Sequence, residues 1–317
     1  MKAFILPFAF TFLFALLLVP IARSIAFRYQ FVDQPNKRKI HKEPIPLLGG
    51  VVIFFGYMLA SIIWVESLRL KLLILLSGAF IVGIGVLDDY FKTRKKDLPA
   101  SPKLFVQFLV GIIVFSFGVR IEGITSIFDG QLVHFPPGLS LLVTLIWIIG
   151  LINMFNFLDG ADGLATGVTL ISATTLFLIA FIKVQTEMAL MSVILMGVSL
   201  GFLKHNFYPA KIFMGDAGSA FLGLVLAIIS IEGALKSATL LSIVMMVFVF
   251  GVPIFDTLIV LFKRYRQKKP LHMPDKNHAH HRLLNKGYSQ KQAVTLIYVV
   301  SILFSIISAL VLFWFIS

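Results

Sequence analysis

Residues 153–165 read Asn153-Met154-Phe155-Asn156-Phe157-Leu158-Asp159-Gly160-Ala161-Asp162-Gly163-Leu164-Ala165, and they join two long apolar runs, 139–155 and 164–182. Two asparagines and two aspartates within ten positions interrupt a chain that is otherwise apolar for a stretch on either side. Each flanking run approaches the roughly 20 apolar residues that a helix needs to cross a bilayer, so the polar stretch is read as a turn at a membrane surface. The glycines let the chain reverse sharply there. In a helical approach Asn153, Asn156 and Asp159 follow one another on one face at i, i+3 spacing. A tight turn with aspartate caps is the plain alternative, but a turn needs fewer amides and acids than this.

The same pattern extends over the whole chain. Of 317 residues, 58% are hydrophobic and only 14% charged, and the mean hydropathy is +0.95. A soluble domain of this size could not bury so much apolar surface. About ten segments satisfy the membrane-length rule, near 3–22, 47–65, 71–87, 104–119, 139–155, 164–182, 188–203, 217–231, 239–262 and 294–316. The runs are continuous, which excludes the alternating strands of a β-barrel. The expected fold is therefore an all-α integral membrane protein of about ten transmembrane helices, forming one domain over 1–317. The loops 23–46, 88–103, 153–163, 204–216 and 263–293 hold 22 of the 28 Lys and Arg residues. The positive-inside rule puts these loops in the cytoplasm and both termini outside. The net charge of +13 thus serves orientation and the attraction of phosphates and anionic lipid, and no soluble domain exists to bind nucleic acid. With no cysteine, disulfides and thiolate metal sites are excluded. Residues 120–137 alternate around Asp129-Gly130, a signal for a short β-hairpin on the outer side. Gly163 with Gly167, and Gly197 with Gly201, have the spacing of close helix contacts.

Six aspartates lie at or just inside the ends of apolar segments: Asp88, Asp89, Asp159, Asp162, Asp216 and Asp256. Carboxylates beside lipid are costly and mark functional positions by default. Asp88 and Asp89 close the third segment with Lys92 one helical turn on, a combination suited to a cation and a phosphate group. Asp216 opens the eighth segment between Gly215 and Gly218, where exposed helix N–H groups favour phosphate oxygens; the alternative is a simple N-cap. Just upstream, Asn206 could hydrogen-bond a base and Phe213 could stack on one. These hard oxygen donors suit Mg²⁺ rather than zinc or copper. Asp256 follows Pro253, which can open the ninth helix, and has either a structural partner or a catalytic role. In the last inner loop, His278, His280 and His281 are flanked by the cations Lys276 and Arg282, so imidazoles donating to phosphate fit better than a transition-metal site.

Taken together, in this order and spacing over residues 32–282, these motifs resemble the polyprenyl-phosphate N-acetylhexosamine-1-phosphate transferases. That family includes the phospho-MurNAc-pentapeptide translocase and the WecA- and TagO-type GlcNAc-1-phosphate transferases. The His-x-His-His-Arg form ending at Arg282 is similar to the second branch, whereas Tyr90-Phe91-Lys92 after the acidic pair is closer to the translocase. The resemblance implies a transfer of GlcNAc-1-phosphate from UDP-GlcNAc to undecaprenyl phosphate at the cytoplasmic face of the bacterial inner membrane. It implies Mg²⁺, with Mn²⁺ as a substitute, held by Asp216 and by Asn156 or Asp159. Asp88, Asp89, Asp159 and Asp162 would be the catalytic acids. Asn206, Phe213, Lys92 and Gly215 would contact the nucleotide, and His278, His280, His281, Arg282 and Lys42 the phosphates. A homodimer is compatible with it. The competing readings are transfer of phospho-MurNAc-pentapeptide and, from another class, an ion-coupled secondary transporter. The transporter would place its charges nearer the midplane and show internal repeats.

Overall fold

A computed structural model describes residues 2–35, 43–94, 96, 98–126, 130–268 and 278–316. The order is α1 (Lys2–Arg28), β1 (Val32–Asp33), β2 (Ile45–Pro46), α2 (Gly49–Trp64), α3 (Leu68–Thr93), α4 (Ala100–Ser116), β3 (Gly123–Thr125), β4 (Leu132–His134), α5 (Pro137–Leu158), α6 (Leu164–Ile182), α7 (Thr186–Asn206) and α8 (Gly215–Ser230). A π-helical turn, Ile231–Leu235, leads to β5 (Ser237–Thr239), then α9 (Leu240–Val249), α10 (Gly251–Arg266), α11 (Ala279–Asn285) and α12 (Gln290–Ile316). All ten expected apolar segments are helical. Among the described residues, seven helices are long and apolar enough to span a membrane, α9 with α10 gives an eighth if counted as one bent span, and α2 and α4 are shorter apolar helices.

The most buried helix is α8. Its neighbours approach it through glycines: a Cβ on Gly50 of α2 would lie 2.6 Å from Gly218 Cα, and one on Gly85 of α3 would lie 2.5 Å from the Ala217 backbone nitrogen. Close packing of this kind replaces the hydrophobic effect as the adhesive between helices in lipid. The glycine pairs expected from spacing make such contacts. Gly197 and Gly201 meet the backbone of α1 at Phe8 and Phe12, while Gly167 meets Tyr298 of α12. The outer faces carry exposed Leu, Ile and Phe, as on α1 (Leu6, Leu17) and α12 (Leu303, Leu310), consistent with lipid as their solvent.

Two expectations need correction. The segment 239–262 was expected as one helix, but α9 and α10 meet at a bend of 83°. Pro253 lacks an N–H and its ring excludes the carbonyl four residues back, that of Val249. That carbonyl instead accepts a bond from the Ser172 hydroxyl at 3.0 Å. Likewise 263–293 is not all loop, since α10 runs on to Arg266 and α11 forms within it. The hairpin β3–β4 is present and antiparallel, with Gly123 opposite His134, and β5 adds a parallel strand beside β3 that local sequence did not reveal. The sheet precedes α5 and the Asp159 turn follows it, so about 33 Å of helix separates them.

Candidate functional site

Asp88 and Asp89 lie in the last turns of α3, and both are buried. Lys92 is on the same helix, one turn further. Its Nζ is 2.8 Å from Asp88 Oδ2 and 2.6 Å from Asp216 Oδ1, with Asp89 Oδ1 at 3.8 Å. A second ammonium completes the cluster: Lys103 Nζ of α4 lies 2.7 Å from Asp88 Oδ2 and 3.0 Å from Asp216 Oδ2. Three carboxylates and two lysines from three helices are therefore interlocked. Desolvation of so many charges is tolerable only because each has an opposite neighbour.

Asp89 has a further task. Its Oδ1 accepts the Asp216 backbone N–H at 3.0 Å and its Oδ2 that of Ala217 at 3.4 Å. It thus supplies, from α3, the cap that the N-cap residue of α8 does not, since Met214 makes no side-chain cap. Gly215 is required there twice over. Its φ is +68°, and a Cβ would be 2.7 Å from Asp89 Cγ. Asp216 is consequently not a cap; its carboxylate is turned toward the two lysines. The backbone of 213–214 is held in turn by α2 and β2, through Phe213 N–H to Pro46 O at 2.8 Å and Gly50 N–H to Met214 O at 2.9 Å.

The turn after α5 approaches the same cluster. Asn156 donates from Nδ2 to Ser219 Oγ at 3.0 Å, one turn beyond Asp216. Asp159 is pushed up to about 7 by burial, by the negative charges of Asp216 and Asp162, and against the pull of Lys92. Asp162 does not join the group: its Oδ2 accepts the Ala210 N–H at 2.9 Å and ties this turn to the segment before α8. Asn206 is also held in the framework. Its Oδ1 accepts from Thr166 at 2.9 Å, its Nδ2 donates to Ile212 O at 2.9 Å, and it is buried. Phe213, which follows Ile212 in the chain, is half-buried.

The histidine segment reaches the same turn from α11. The His280 ring is 2% exposed, neither ring nitrogen has a hydrogen-bond partner among the described residues, and a Cβ on Gly160 would be 2.5 Å from its Cε1. Burial and the neighbouring His281 and His278 push its pKa down to about 3, with Asp256 opposing, so the ring is neutral at working pH. His281 packs 4.2 Å from it, centroid to centroid. His278 and Arg282 bind Asp256. Lys42 lies outside the described residues.

The structure thus gathers Asp88, Asp89, Lys92 and Asp216 tightly, brings Asn156 and Asp159 to them, sets His280 against the Gly160 turn, and bonds Asp162 and Asn206 to residues outside the cluster. Lys103 is a site residue that the sequence does not single out, since there it is one more positive charge on an inner loop. The available signal is Gln107, one turn along the same face, whose side-chain amide accepts a hydrogen bond from Asn153 Nδ2 at 2.7 Å and donates one to Asn153 Oδ1 at 3.4 Å.

Oxygen donors and ammonium groups so arranged can hold a divalent cation and a phosphate anion. Among the described residues, ligand atoms of Asp88, Asp89 and Asp216 all fall within 4.8 Å of one another, which fits a hard cation of Mg²⁺ type. Fold and site define a multi-pass helical membrane protein with an ionic centre at one end of its bundle. Residues 71–234 match the sequence model of glycosyl transferase family 4. The chain is 39% identical over 313 residues to a Bacillus subtilis (strain 168) protein named "Probable undecaprenyl-phosphate N-acetylglucosaminyl 1-phosphate transferase", covering 97% of this chain and 84% of that one. It is 34% identical over 312 residues to the decaprenyl-phosphate N-acetylglucosaminephosphotransferase of Mycobacterium tuberculosis (strain ATCC 25618 / H37Rv), covering 87% and 74%. To the undecaprenyl-phosphate alpha-N-acetylglucosaminyl 1-phosphate transferase of Escherichia coli (strain K12) it is 30% identical over 305 residues, covering 94% and 81%. The chain belongs to glycosyl transferase family 4.

Proposed function

We propose that the chain transfers GlcNAc-1-phosphate from UDP-GlcNAc to undecaprenyl phosphate at the cytoplasmic face of the bacterial inner membrane. The observation that carries this reading is the interlocked Asp88, Asp89, Asp216, Lys92 and Lys103 cluster in a chain whose relatives bear that activity in their names. An oxygen of the lipid phosphate forms a bond to the β-phosphorus of UDP-GlcNAc. The bond from that phosphorus to the bridging oxygen breaks, and UMP leaves with the electron pair. The sugar C1–O bond is untouched, so the anomeric configuration is kept.

Phosphoryl transfer is chiefly positioning and charge neutralisation. Lys92 and Lys103 meet the diphosphate oxygens, exchanging their bonds to Asp216 for bonds to substrate. Asp216 and Asp88 would hold Mg²⁺, or Mn²⁺, with Asn156 or Asp159 completing the set. When bound, the ion neutralises the charge that grows on departing UMP. Asp89 keeps the start of α8 in place rather than moving a proton. No strong base is required, because a phosphate monoester is already largely dianionic at neutral pH, its second pKa being about 6. Neutral His280 offers an N–H to a phosphate oxygen beside Gly160, with Arg282 supplying charge.

The test uses labelled UDP-GlcNAc, undecaprenyl phosphate, Mg²⁺ and purified protein. The expected result is a chloroform-soluble product with equimolar UMP, lost in EDTA and in Asp216→Asn. Label that stays in water with UDP-GlcNAc but enters chloroform with UDP-MurNAc-pentapeptide would replace the donor assignment. Label that stays in water with both would end the transferase reading.

A further inference from the structure

Asp256 stands apart from the ionic cluster, yet it is 5% exposed and fully bonded. It belongs to the inward stripe of α10, with Pro253, Thr257, Val260 and Arg264, while Phe255, Leu258 and Phe262 face outward. The 83° break before α10 aims that stripe at the histidine segment. Three groups of that segment converge on one carboxylate. The Ala279 N–H donates to Oδ1 at 2.7 Å and Arg282 Nη2 to the same oxygen at 3.1 Å, while His278 Nδ1 bonds Oδ2 at 2.8 Å. His278 also packs against Phe157 at 5.7 Å between centroids, and His280 lies two residues further, against Gly160.

We infer that Asp256 is a positioning residue that clamps the His278–Arg282 segment against the Asp159–Gly160 turn and so fixes where the donor's phosphates are gripped. The inference rests on the reading of the site as a UDP-sugar site. α11 is only seven residues long, too short to be stable alone. A segment of this length takes its orientation from external bonds, and the Asp256 carboxylate provides three. Oδ1 also holds one edge of the Arg282 guanidinium, leaving the remaining edge directed elsewhere. With no acceptor at 256, Arg282 and His278 lose their common anchor and the phosphate-binding groups are no longer held in one geometry.

The chain contains no cysteine, so paired spin labels can be introduced without a background. The full-length protein carrying Asn285→Cys and Lys211→Cys, both exposed positions, is labelled and reconstituted in lipid nanodiscs. Its interlabel distances and its kinetics are compared with and without Asp256→Ala, and with Asp256→Asn, which keeps the shape and one acceptor. Asp256→Ala is expected to broaden the distance distribution. It should lower kcat/KM by on the order of 100-fold, a loss typical of ångström-scale misplacement, with most of it in KM for UDP-GlcNAc and little in KM for undecaprenyl phosphate. Asp256→Asn should lie between parent and Ala in both readouts. An unchanged distance distribution, or a loss confined to kcat, would overturn the inference. The distance readout needs no turnover, so a parent protein inactive on UDP-GlcNAc would count against the functional reading while the clamp is still judged by the labels.

Discussion

Replacing Gly215 by alanine tests the linkage between Asp89 and the start of α8. Two costs add. Residue 215 has φ +68°, and an L-residue in left-handed geometry costs about 1–2 kcal/mol. The new Cβ would also be 2.7 Å from Asp89 Cγ. Asp89 is 1% exposed and cannot retreat to water, so it must slide off the Asp216 N–H that it accepts at 3.0 Å. Losing a hydrogen bond to a charged group costs about 1.5–3 kcal/mol. The sum is about 2.5–5 kcal/mol. Gly83 of α3 is the matched control, because a Cβ there meets nothing within 4 Å. In a helix interior alanine should be better than glycine by about 1 kcal/mol. The assay is thermal unfolding in detergent alongside transfer activity. Gly215→Ala should melt well below the parent and lose most activity, while Gly83→Ala should melt at or above it and stay active. If the two variants melt together, Asp89 is not the support of α8 and the geometry described for the cluster is wrong.

Lys103→Ala removes the ammonium that joins Asp88 to Asp216. At about 1.5–3 kcal/mol for a charge-assisted bond, kcat/KM should fall on the order of 10- to 100-fold, and equal rates for variant and parent would remove Lys103 from the site. Asn206→Ala breaks bonds to Thr166 and Ile212 and should lower stability by about 1–3 kcal/mol. A KM effect on UDP-GlcNAc without a drop in melting temperature would restore it to the nucleotide site. Asp159 holds its proton up to about pH 7, against 3.8 for the ordinary carboxyl. Between those values the folded chain binds a proton that the unfolded chain has released, so stability falls as pH rises through the window and is level above it. Asp159→Asn should therefore raise the melting temperature in EDTA at pH 8 more than at pH 5, and the reverse order would refute the assignment.

The helices were legible because lipid imposes a long apolar run on every span, and the 164–182 segment coincides with α6. The acidic pair with Lys92 was legible because three or four residues along a helix bring side chains together. What stayed hidden depends on contacts between distant elements. Lys103 gains its role only when α4 lies against α3, and β5 only when residues 237–239 reach β3. Pro253 announces a disturbed helix, but the group that satisfies the freed Val249 carbonyl, the Ser172 hydroxyl, is 77 residues away. The amide of Asn206 looked available because its partners are 40 and 6 residues away.

The six aspartates divide by what they bond. Asp89, Asp162 and Asp256 each accept a backbone N–H at or near the start of another segment, from Asp216, Ala210 and Ala279. Asp88, Asp159 and Asp216 are instead set against lysines and one another. A carboxylate at a membrane surface can be offset by fixed amide dipoles, equivalent to about half a positive charge at a helix start, or by full cations. Position in the sequence cannot separate the two uses, because both require an acid at a helix end. They do differ under substitution. Asparagine keeps an acceptor for a backbone N–H, so Asp162→Asn should retain most activity and stability. At Asp216, where both oxygens face ammonium groups, the same change removes the charge that the cluster is built around. Comparable losses from the two substitutions, measured as kcat/KM with melting temperature as the folding control, would show that Asp162 belongs to the reacting group after all.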